Sequence, residues 1–165
     1  MRPRGRAPEH PESPEAARRA ALLLLGRRDY ASGELLTKLT VSGYAPEAAQ
    51  AAIAALREER LLDDSRFLDN FVRAHAGRGQ GPARIRQELS VLGFPAADIQ
   101  AALEAGPDFT ALCREVRARK FGARPPASWA ERGRQGRFLQ YRGFSSDDIR
   151  LATGQDPDIS EDPTE

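Results

Sequence analysis

The chain has 165 residues, 25 Lys plus Arg against 24 Asp plus Glu, and 40% apolar residues, one domain's worth of sequence at a formal charge of +1. Its longest apolar stretch, Leu22–Leu25 with flanking alanines, falls far short of the roughly 18 residues of a membrane span, and Arg and Pro stand where a secretory leader needs an apolar core, so a cytoplasmic protein is expected. A lone Cys113 and two histidines, His10 and His75, exclude an internal disulfide and a Cys/His metal cluster, while 44 Ala plus Leu against 14 Val, Ile and Thr predict an all-α fold.

Residues 1–15 hold four prolines and, after the initiator Met, one apolar residue, so a disordered tail is expected there. The stripe Ala17, Ala21, Leu24 and Leu25 predicts a first helix over Ala16–Arg28. From there the sequence repeats at an offset of 50 residues: Leu39, Leu89 and Leu139 align, as do Gly43, Gly93 and Gly143, then Tyr44, Phe94 and Phe144, with Val41, Val91 and Tyr141 between. A glycine closing a helix takes the left-handed C′ position, and the next residue packs back on C3; that count pairs Tyr44 with Leu39, Phe94 with Leu89 and Phe144 with Leu139. A further helix starts just after each turn, at Pro46 in the first copy and at a capping box of Ser145 and Asp148 in the last.

A third helix precedes each pair, over Ser65–Ala76 with Asp63 or Asp64 as N-cap and over Phe109–Phe121. The segment Gly77–Pro82 lacks the strand and the Lys-Ser/Thr pair of a nucleotide loop and reads as a joint with Pro82 at the first helical position; Gly122–Ser128 is a second, longer joint. The predicted organisation is a tail over 1–15, three-helix repeats over 16–60, 61–106 and 107–154, and an acidic disordered tail over 155–165. Copies this small need neighbours to complete a core, so an elongated, curved array of three tandem helix-turn-helix-like repeats is expected.

The chemistry points to binding. No Ser or Cys sits in a nucleophile motif, Cys113 lies on a helix stripe as a small core residue, and the Asp63–Asp64 pair lacks a third metal ligand. No catalytic residue, metal or cofactor is expected. Five acids and no base in residues 155–165 leave residues 1–154 with 25 bases and 19 acids, a formal +6, and Thr110–Ser145 carries nine bases against two acids. Such a field attracts polyanions. The candidates are Arg78, Arg84, Arg86, Arg119, Lys120, Arg124, Arg132, Arg134, Arg137 and Arg142. A solvated Arg-rich face, or a genome rich in Arg codons, would give the same pattern with no ligand. Tyr30, Trp129 and Tyr141 are candidate interface aromatics, partial burial being the other reading of the two tyrosines.

Arg27-Arg28-Asp29-Tyr30, Glu34-Leu35, Lys38-Leu39, Gly43-Tyr44 and Leu62-Asp63-Asp64-Ser65-Arg66-Phe67 together resemble the start of RecX, the regulatory protein of the RecA recombinase. The likeness continues through Arg78-Gly79-Gln80-Gly81-Pro82, Ile85 and Glu88-Leu89 to Arg137-Phe138-Leu139-Gln140-Tyr141-Arg142-Gly143-Phe144, covering about residues 16–152. The resemblance implies an all-α chain of three-helix repeats that binds in the groove of the RecA–single-stranded DNA filament and inhibits ATP hydrolysis, strand exchange and co-protease function. It also implies direct contact with single- or double-stranded DNA; a monomer with no membrane contact is expected. The alternative is a DNA-binding helix-turn-helix regulator. The Ala-rich helices expected over Ala45–Arg57 and Ala96–Ala105 offer base edges only Gln50, Arg57 and Gln100, so such binding would be nonspecific.

Overall fold

The computed structural model describes residues 7–154; residues 1–6 and the acidic segment 155–165 lie outside the described residues. Among the described residues there are nine helices and no strand: α1 (Pro14–Leu25), α2 (Ser32–Val41), α3 (Pro46–Glu58), α4 (Asp64–Gly77), α5 (Pro82–Val91), α6 (Ala96–Glu104), α7 (Phe109–Phe121), α8 (Trp129–Tyr141) and α9 (Ser146–Thr153). They form three tandem three-helix repeats. Two compact units divide between Leu68 and Asp69, inside α4, rather than at a repeat boundary.

Each repeat's second helix ends as the column of glycines requires. Gly43, Gly93 and Gly143 have φ of 104°, 87° and 93°. The amides of Tyr44, Phe94 and Phe144 donate to the carbonyls of Leu39, Leu89 and Leu139 at 3.1, 3.3 and 3.2 Å, while the glycine amides donate to Thr40, Ser90 and Gln140. This is the Schellman pair of bonds in all three copies. It turns the chain sharply enough that Leu39, Leu89 and Leu139 are all buried beneath the following helix.

In the first unit α1, α2 and α3 pack on one another around Ala21, Leu35, Leu39, Ala49, Ile53, Leu56 and Leu62. Tyr30 belongs to this core at 7% exposure, with Arg28 over its ring at 3.7 Å, which removes it from the candidate interface aromatics. Asp63 caps α4 by accepting from the Arg66 amide at 3.0 Å. Asp64 instead reaches the Ser32 amide at 2.8 Å and caps α2, a tertiary bond that spacing along the chain cannot reveal.

The start of the body moves forward from the expected residue 16. Ser13 accepts from the Ala16 amide and Pro14 takes the first turn, so α1 begins two residues earlier, and it ends at Leu25 rather than Arg28. Ahead of it, the Pro11 carbonyl accepts from Ala45 at 2.9 Å and Pro8 lies against Gly43. The segment from Pro8 to Ser13 thus covers the first repeat's turn, although its prolines and lack of apolar residues marked it as tail.

The second unit is organised by a contact between two backbones. Gly81 donates to the Arg142 carbonyl at 2.8 Å, and Ala83 donates to the Gly143 carbonyl at 3.0 Å. A Cβ on Gly81 would fall 2.3 Å from the Gly143 carbonyl carbon, and one on Gly143 would fall 2.6 Å from Arg84 Cβ. The glycine-rich joint is therefore a clasp between the second repeat and the third. In the third repeat α7, α8 and α9 enclose Cys113, Val116, Leu139, Phe144 and Ala152. Arg117, only 6% exposed, ties the second joint down by donating to the carbonyls of Ala123 at 3.1 Å and Arg124 at 2.9 Å.

Gly81→Ala is expected to cost about 2 kcal/mol or more, because the clash is with backbone and no rotamer relieves it. Gly77→Ala, with nothing within 4 Å of its added Cβ at the end of α4, should be neutral or stabilising by up to about 1 kcal/mol. Thermal unfolding of the two variants checks this; equal melting temperatures would contradict the clasp.

Candidate functional site: an acid-free basic pocket

Four of the ten basic candidates come together. Arg119 and Lys120 project from the last turn of α7, Arg142 from the turn after α8, and Arg78 from the joint after α4; with Gly79, Val116 and Phe138 they line a pocket of about 150 Å³. The joint reaches the pocket because Gly79, at φ 78°, brings its backbone against Val116, whose Cγ2 stands 3.1 Å from where a Cβ would be. Arg142 is held from two sides, donating to the Arg78 carbonyl at 3.1 Å and lying 5.3 Å over the Phe138 ring. Lys120 stands 5.9 Å from the same ring, and Phe121 meets it edge-on at 5.3 Å. An aromatic face attracts cations, so Phe138 fixes two of the four bases.

Four arginines outside the pocket are neutralised. Arg18 pairs with Glu59, Arg28 with Glu34, Arg84 with Glu88 and Arg150 with Asp147. No carboxylate lines the Phe138 pocket, and among the described residues none of its four bases has an ion pair.

The remaining candidates scatter. Arg84 is taken up by Glu88, which also faces His75 at 3.3 Å, and Arg86 donates to Gln100 at 2.8 Å. Arg124, Arg134 and Arg137 are exposed, and Arg132 is half-buried with an unpartnered Nε. Trp129 and Tyr141 are exposed as an interface would need, at 83% and 79%.

Two features escaped the sequence reading. Arg117 was one base among nine, and nothing in its neighbours marks it as the buried one. The column Val41, Val91 and Tyr141 was visible as a repeat, but its exposure was not: all three stand 79–83% exposed at the last position of their helices. Val91 and Tyr141 flank a groove of about 730 Å³ with Phe71, Arg84 and Glu88.

Burial pushes the Cys113 thiol up to about 12, with Asp148 adding to the shift, so near neutral pH it holds almost no thiolate. A disulfide reagent at pH 8 should leave it unmodified in the native protein and react fully after denaturation. Rapid native modification would place it at the surface.

Tandem three-helix repeats place the chain in the helical-repeat class. Family models for the first, second and third three-helix domains of RecX match residues 17–56, 63–103 and 108–153. The chain belongs to the RecX family. It is 48% identical over 145 residues to a regulatory protein RecX of Pseudomonas fluorescens, covering 87% of this chain and 94% of the relative. It is also 48% identical over 139 residues to the RecX of Halorhodospira halophila, covering 84% and 86%. The crystal structure of RecX from Lactobacillus salivarius has the same fold, with a TM-score of 0.73 at 20% identity over 84% of this chain and 93% of that one. A second RecX crystal structure gives 0.69 at 23% identity, over 84% and 70%.

Proposed function

We propose that the protein is a negative modulator of the RecA recombinase that acts by binding, with no catalysis of its own. It binds the RecA–single-stranded DNA filament in its groove and opposes the protomer movements of ATP hydrolysis, strand exchange and co-protease function. The observation that carries the reading is the basic pocket of the third repeat, left without acidic partners in a chain of the RecX family. Three tandem repeats supply separate sets of contacts, so weak binding to neighbouring protomers adds up through effective concentration. The apolar column supplies contacts of a second kind, since Val91 and Tyr141 expose apolar surface that no described residue covers.

The test is co-sedimentation with preformed RecA–single-stranded DNA filaments. The wild type should pellet with them, and Val91→Asp combined with Tyr141→Asp should weaken that binding by about tenfold while leaving helicity intact. A wild-type protein that stays in the supernatant would overturn the proposal.

A further inference from the structure

The geometry points to a discrete phosphate-binding site in the pocket of Arg78, Arg119, Lys120 and Arg142 over Phe138, taking one phosphoryl group of a nucleic-acid strand or of a free nucleotide. The inference stands without RecA. Four like charges come together in one pocket from three separate segments, α7, the turn after α8 and the joint after α4. Arg119 and Lys120 complement the C-terminal end of α7, and Arg142 and Arg78 stand at the C-terminal ends of α8 and α4, so the dipoles of three helix ends offset part, and only part, of the repulsion among the four charges. Like charges brought together repel unless an anion sits among them, and no described residue supplies one.

The donors suit a phosphoryl oxyanion in particular. Three guanidinium groups offer planar forks that match its oxygens, and Lys120 offers a compact charge. Arg142 is pre-positioned by its bond to the Arg78 carbonyl and by the Phe138 ring, so little freedom is lost on binding. The floor of Val116 and Phe138 is apolar, which strengthens charge–charge attraction at the pocket's base. Size decides how much of a ligand enters: a cavity of about 150 Å³ is benzene-sized, which admits a phosphoryl group and leaves sugar and base outside. Binding there carries no sequence preference.

The test is fluorescence anisotropy of a labelled oligothymidylate, with the full chain and no RecA. Arg119→Ala with Lys120→Ala removes two pocket charges from exposed positions; Arg19→Ala with Arg57→Ala removes two exposed charges far along the sequence in the first repeat. The pocket variant should bind about tenfold or more weakly, and the slope of log K against log salt should fall by about 0.7, the value for one phosphate contact on a single strand. The control should stay within about twofold of wild type. Inorganic pyrophosphate and ADP, added as competitors, separate the sources: displacement at millimolar levels assigns the site to a free phosphate, and its absence to the strand. Equal weakening in both variants, or no binding of either ligand by the wild type, would overturn the site.

Discussion

The backbones at residues 81 and 143 lie so close that neither position has room for a side chain. Around that approach the second unit is assembled. Two hydrogen bonds join the start of α5 to the turn after α8, and they fix Arg78 and Gly79 against α7. The joint thereby becomes a wall of the basic pocket and the source of one of its four bases. A linker that hinged freely would leave the second repeat's contribution to that pocket undefined.

Charge was distributed with similar economy. Carboxylates neutralise Arg18, Arg28, Arg84 and Arg150, and the third repeat's buried Arg117 donates to carbonyls that shape the joint ahead of α8. Four bases without an ion pair among the described residues line one pocket where α7, the turn after α8 and the first joint meet. Positive charge spread over a surface repels weakly; the same charge gathered over an aromatic ring and a valine favours an anion among it.

Much of the fold was legible because its signals are local. A glycine at fixed distance from a leucine and an aromatic predicts a Schellman turn, and a proline or serine after it predicts the next helix. Those are interactions within six residues, and all three copies obey them. Tertiary partners were not legible. Asp63 and Asp64 were equal candidates to cap α4, and Asp64 serves α2; Tyr30 could be read as packing or as interface, and it is core; Gly77–Pro82 looked like a simple joint, and only the second backbone shows why Gly81 must be glycine. Sequence gives no means of knowing that four of the ten basic candidates line one pocket while Arg84 and Arg86 are engaged on their own helical pair.

Regulation of RecA is the claim on which the functional account turns. Its most direct test is the steady-state ATPase rate of the cognate RecA on single-stranded DNA, with RecA fixed and DNA in excess, as this protein is added. The account predicts inhibition well below one molecule per RecA protomer that persists in the excess of DNA. Inhibition that appears only when the protein suffices to coat the DNA, and that disappears as DNA is added, would contradict it and leave a nonspecific DNA-binding protein in its place.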